Sequence, residues 1–131
     1  MVNNGVYNKA IYWPKEVRKM VKRTLERECT IYPTQHMYDR LENYDLPMDI
    51  WHEFMDGEVI ECEVKDMVLT KIVTRTPSSR WAGETNCAAI VLEERYGKLI
   101  ARVTTVWINN SDDNHATIQR DRCVTTFVRA N

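Results

Sequence analysis

The chain has no long apolar run; its hydrophobic stretches are only a few residues each, too short to span a bilayer. Its first residues, Met1-Val2-Asn3-Asn4-Gly5, lack the charged start and apolar stretch of an export signal. The four cysteines, Cys29, Cys62, Cys87 and Cys123, form no C-x-x-C pair, and His36, His52 and His115 are just as scattered. Structural zinc sites draw their ligands in close pairs, because neighbouring ligands share one turn, so no metal is expected. Without export, an even cysteine count does not call for disulfides, and buried reduced thiols are the expectation. Charge of one sign is missing too: 18 Lys and Arg oppose 19 Asp and Glu, for a formal net of -1. That excludes a protein basic all over, yet leaves room for one basic cleft. The motifs G-x-x-x-x-G-K-[ST], G-x-G-x-x-G and G-x-S-x-G are all absent. Nucleotide hydrolysis, dinucleotide oxidation and serine-hydrolase chemistry are therefore disfavoured. No close acidic cluster suggests magnesium, and no cofactor is expected.

What is present is a globular composition. Over 131 residues, 44% are hydrophobic and 28% charged, close to the soluble average, which argues against disorder. A chain of this length buries roughly two-thirds of its unfolded surface without a metal or disulfide staple. One domain over 1–131, soluble and cytoplasmic, with no membrane partner, is the expectation. No segment is low in complexity and no internal repeat is visible. Basic residues gather between Lys15 and Arg27, whereas acids concentrate from Asp39 to Asp66.

The first half reads as helical. From Trp13-Pro14, Val17, Met20, Val21, Thr24 and Leu25 recur at three- and four-residue spacing, which predicts a helix ending near Cys29. Pro14 suits its first turn, and Thr30-Ile31-Tyr32-Pro33 breaks it. A second helix starts with Thr34 as its N-cap and runs through Tyr44, burying Met37, Leu41 and Tyr44. A third is capped by Asp45, has Pro47 in its first turn and buries Ile50, Trp51, Phe54 and Met55. Gly57 would stop it in the left-handed conformation. After Gly57 the hydrophobic period falls to 2 and β-branched residues take over. Four strands follow: 58–64, 67–74, 85–93 and 98–109. The turns at Lys65-Asp66 and 94–97 are short, so the sheet should be mainly antiparallel. A fifth strand is expected at 122–128. The fold class expected is α+β: two or three N-terminal helices in 13–56, packed on a mainly antiparallel four- to five-stranded sheet in 58–128.

His36 and Arg40, four residues apart on the second helix, share a face and could meet one small anion. Histidine exchanges a proton near neutral pH, and arginine holds phosphate bidentately. The plainer alternative is a surface histidine beside an arginine paired with Asp39 or Glu42. Along the strands, Lys71 and Arg75 are an even number of positions apart and share a face, as do Arg102 and Thr104. The opposite face carries Val68 and Ile72 in one strand, and Leu99, Ala101 and Val103 in the other. One sheet face could thus be core and the other present cations. Arg80 and Trp81, in the 76–83 loop, could offer a phosphate clamp and a stacking ring.

Three segments carry a resemblance: Thr34 to Leu41 with its H-x-x-x-R, Leu46-Pro47-Met48-Asp49-Ile50, and Asp56-Gly57-Glu58-Val59-Ile60-Glu61 before a β-meander. Together they resemble an uncharacterised toxin-like domain family, itself similar to the barnase–EndoU–colicin–RelE ribonuclease fold. Over residues 34–107 the resemblance implies helices in front of a four-stranded antiparallel sheet. It implies His36 and Arg40 as active-site residues, with Arg75 and Thr104 or Thr105 as strand partners. The basic helix in front and the tail after Asn109 depart from the family pattern.

Two functions follow. One is a metal-independent, toxin-type endoribonuclease, which binds RNA phosphate. His36 would serve as base or acid, with Arg40, Lys71 and Arg75 stabilising the developing charge. The other is a non-catalytic inhibitor or regulator on the same fold, of phage, plasmid or other mobile-element type, whose partner is a protein such as an antitoxin or an inhibited target.

Overall fold

The computed structural model describes residues 2–77 and 84–110. Arg80, Trp81, Cys123 and the strand expected at 122–128 lie outside them. Six strands form one sheet in the order β1-β3-β4-β5-β6-β2. They are β1 (Gly5–Asn8), β2 (Cys29–Pro33), β3 (Glu58–Lys65), β4 (Val68–Pro77), β5 (Glu84–Arg95) and β6 (Lys98–Asn110). Two α-helices, α1 (Lys15–Leu25) and α2 (Gln35–Asn43), and two 3-10 segments, Ala10–Tyr12 and Ile50–Asp56, complete the described chain. The α+β class and the mostly antiparallel sheet agree with the sequence expectation.

Within that class four details differ. The sheet gains two edge strands. β1 pairs antiparallel with β3, and β2 pairs parallel with β6, from Cys29 opposite Leu99 to Pro33 opposite Val103. The β-branched run that was expected to break a helix is therefore itself a strand, and α1 stops at Leu25 rather than near Cys29. Asp45 is not a cap. It takes φ 55° and closes α2, with its amide on the Glu42 carbonyl (3.0 Å) and the Leu46 amide on the Leu41 carbonyl (2.9 Å). That is a Schellman end, sealed by Leu41 and Leu46 in the core. The third helix accordingly shrinks to the 3-10 segment. Gly57 does not turn left-handed either; it is extended, at φ -72°, ψ 167°. Its reason is room: a Cβ there would stand 2.8 Å from Thr76 Cγ2 and 3.0 Å from the Arg75 carbonyl oxygen.

The helices cover one sheet face. Val17 and Val21 of α1, Met37 and Leu41 of α2, and Phe54 are fully buried against Ile72, Ala88, Ile90, Ala101 and Val103. These are the apolar stripes that the three- and four-residue spacing picks out. Each α-helix sits over its own part of the sheet, α2 on β6 and α1 on β4. On the opposite face Ile60, Val73, Cys87, Ala89 and Trp107 form a second buried cluster, which Tyr44 reaches.

Bulges set which side chains face which way. Glu63 lies opposite Lys71, but Val64 lies opposite Leu69, so Thr70 is an extra residue in β4. The bulge shifts the period by one. Leu69 enters the core, and Val68, expected there, is 55% exposed. A second bulge makes Thr104 the extra residue of β6, between Val103 opposite Ile90 and Thr105 opposite Ala89. No helix among the described residues is long and apolar enough to cross a membrane.

Candidate functional site

α2 runs beside β6 where β2 ends. β2 pairs with β6 only as far as Val103, and beyond it side chains of the following segment take the strand's carbonyls. Thr34 Oγ1 donates to the Val103 carbonyl (2.9 Å) and the Thr104 carbonyl (3.3 Å), and accepts from the Met37 amide (3.2 Å). Thr34 is therefore the N-cap of α2 expected from sequence, and also its tether to the sheet. One turn along, Arg40 donates through Nε to the Val106 carbonyl (3.5 Å) and through Nη2 to the Tyr44 hydroxyl (3.0 Å). Its guanidinium stands 5.2 Å from the centroid of the Tyr44 ring. The local ion pair of the plainer alternative is not what holds Arg40, and Asp39 instead accepts from Gln35 Nε2 at 3.0 Å. His36 is exposed in the first turn of α2, on the side that Arg40 shares.

The sheet cations occupy the face away from the helices. Arg75 lies opposite Glu58 on β3 and Cys87 on β5, and Cys87 lies opposite Trp107. Two rows along, Val6, Glu63, Lys71, Val91, Arg102 and Tyr32 face one another in register across all six strands. Directly opposite residues of neighbouring strands point to one side, so Glu58 and Glu63 share a face with Arg75 and Lys71. Arg102 is gripped by Glu93 Oε1, at 2.9 Å from Nε and 2.7 Å from Nη2, and lies 5.6 Å from the Tyr32 ring centroid. The Arg102 hydrogen bonds hold the Glu93 carboxyl below the usual carboxylate range, and Arg95, at 3.6 Å, adds to the effect. Thr104 Oγ1 donates to the Ala89 carbonyl at 3.1 Å.

The expected residues therefore divide. Arg40 reaches β6 at the Val106 carbonyl and Thr104 bonds the Ala89 carbonyl across β5, without a contact between the two among the described residues, and His36 stands exposed on α2. Lys71 and Arg75 stand on β4, two strands and about 9.5 Å from β6, among carboxylates. Arg80 and Trp81 lie outside the described residues. Sequence reasoning missed Tyr44 as the partner of Arg40, although its four-residue spacing was visible. It also missed Glu58, Glu63 and Glu93 as partners of the sheet cations, which only the strand register reveals.

The thiols follow their burial. Cys29 and Cys62 are free thiols, Cys62 buried and Cys29 only partly so. Burial, with the Glu61 carboxylate behind it, pushes the Cys62 thiol up to about 12; burial and Asp56 raise Cys29 as well. Among the described residues no three His, Cys, Asp or Glu side chains are gathered to hold a metal. No family model, curated protein or solved structure matches this chain.

Proposed function

We propose that the chain is a non-catalytic binding protein, an inhibitor or regulator on a toxin-like scaffold, rather than a working ribonuclease. The observation that carries this reading is the matching of cations by carboxylates across the sheet. Glu58 stands opposite Arg75, Glu63 opposite Lys71, and Glu93 holds Arg102. A cleft that stabilises a phosphorane needs uncompensated positive charge aimed at one point. Arg102 is ion-paired to Glu93, whereas Lys71 and Arg75 have Glu63 and Glu58 only across from them in the sheet register, a mixed surface suited to a protein partner. Arg40 supports the same reading, because two of its donors turn inward to Val106 and Tyr44.

The ribonuclease reading retains one support of its own, the exposed His36 a turn away from Arg40. Incubation of total RNA with the protein under chelator separates the two. We expect intact RNA from wild type and His36→Ala alike, and a lower melting temperature for Arg40→Ala through its lost sheet contacts. RNA cleavage by wild type that disappears in His36→Ala would overturn the binding reading.

A further inference from the structure

Two turns of the meander, between β3 and β4 and between β5 and β6, lie at the same end of the sheet. Each turn has two central residues with positive φ, the mark of a type I′ turn: Asp66 (52°) with Met67 (66°), and Tyr96 (53°) with Gly97 (76°). Such turns normally take Asn, Asp or Gly, because other side chains are strained there by about 1 kcal/mol or more. Met67 is nevertheless 50% exposed and Tyr96 wholly exposed. The chain accepts strain at both tips to hold an apolar side chain in water, where it adds nothing to the core.

Between the Met67 tip and α1 runs a groove of about 270 Å³, walled by Met20 and Thr24 of the helix, by Met67 of the turn and by Leu69 and Leu99 of the strands. It is smaller than the roughly 300–1,000 Å³ of sites for drug-sized ligands, and of a size for one inserted apolar side chain. Arg23, Arg27, Glu93 and Glu94 line its polar parts. Both carboxylates are neutralised within the chain: Glu94 by Arg27 at 3.1 Å, and Glu93 by Arg102. Among the described residues, no ion pair occupies Lys22 or Arg23 at the end of α1, or Lys65 and Lys98 beside the turns. Three acids, Glu26, Glu28 and Asp66, stand among these cations, so the end of the molecule is a set of apolar anchors and a small groove within a mixed surface of small positive excess.

We infer that this hairpin end is a docking surface for an acidic segment of a partner protein, which seats one apolar side chain in the groove and sets its carboxylates against Arg23, Lys65 and Lys98. The groove decides for protein over lipid, since a bilayer has no single side chain to insert. The inference deepens the binding-protein reading and rests on it. A short fluorescein-labelled peptide with one Leu flanked by Glu and Asp is the probe, read by fluorescence anisotropy. Saturable binding is expected, weakened about tenfold or more by Arg23→Glu and by Met67→Asp, and reduced by salt. Both positions are exposed, and circular dichroism melts confirm that the variants fold. A peptide with Lys in place of its acids should not bind. Absence of binding to wild type, or equal binding by wild type and both variants, overturns the surface. So does recovery of the protein on phosphatidylserine vesicles without peptide binding, which would assign the patch to lipid. RNA cleavage in a parallel assay would instead remove the binding reading itself, so the two failures are distinct.

Discussion

The Thr34 hydroxyl donates to the Val103 carbonyl at 2.9 Å while accepting from the Met37 amide at 3.2 Å, so one oxygen both caps α2 and ties it to β6. Removing it leaves a helix amide and a strand carbonyl to find other partners. Thr34→Ala should cost about 1–2 kcal/mol, and Thr34→Ser should recover most of it. Urea unfolding of the two variants beside wild type is the check. Equal loss in both would mean that the Thr34 methyl, not its hydroxyl, matters.

Gly57 marks the passage from the 3-10 segment into β3, and it is needed for space rather than for flexibility. A methyl group there would press on the Arg75 carbonyl oxygen at 3.0 Å, and backbone cannot swing aside as a side-chain tip can. Gly57→Ala should destabilise by about 1–3 kcal/mol, seen as a lower denaturant midpoint with an unchanged slope. A neutral result would show that β3 and β4 separate there at little cost.

What the sequence revealed divides by the range of the interaction. Thr34, Met37 and Leu41 lie within one helix, so the cap and the buried stripe of α2 could be read locally. β2 could not be recognised the same way, because the partner of Cys29 is Leu99, seventy residues away. Thr30-Ile31-Tyr32 shows β-branched and aromatic character, but only the distant strand makes it part of a sheet. Bulges are hidden for a related reason. An extra residue at Thr70 puts Leu69 rather than Val68 into the core, and a period of 2 has no way to announce it. At the candidate site the shared face of Lys71 and Arg75 followed from counting. That Glu63 and Glu58 stand across from them followed only from register, which sets an acid beside each of the two cations.

The Glu93–Arg102 pair should give stability a defined acid dependence. Arg102 lowers the Glu93 carboxyl in the folded state, so folding favours its ionised form. The contribution is complete above the unfolded carboxyl value, from about pH 5 upward, and fades as pH falls through the lowered folded value. The stability difference between wild type and Glu93→Gln should therefore be flat from neutral pH down to about pH 5, then shrink with further acid. Urea midpoints measured across that range provide the test. A difference that grows on acidification would show that the carboxyl is raised, not lowered.

The thiols offer the last test, because their reactivity reports burial directly. Cys62 is raised to about 12 from an ordinary 9.0, chiefly by desolvation in the core and secondarily by Glu61. At a mildly alkaline pH its reactive thiolate should be about a thousandfold scarcer than in an ordinary thiol, and the greater nucleophilicity of a basic thiolate offsets only part of that. Cys29 is raised too, but it is only partly buried at the sheet edge and should react first. Timed iodoacetamide labelling with peptide mass mapping should find Cys29 modified well before Cys62 in the native protein. In denaturing urea the two should label at similar rates. Rapid native labelling of Cys62 would mean that β3 opens readily to solvent, and that the core between β3 and the helices is looser than its packing implies.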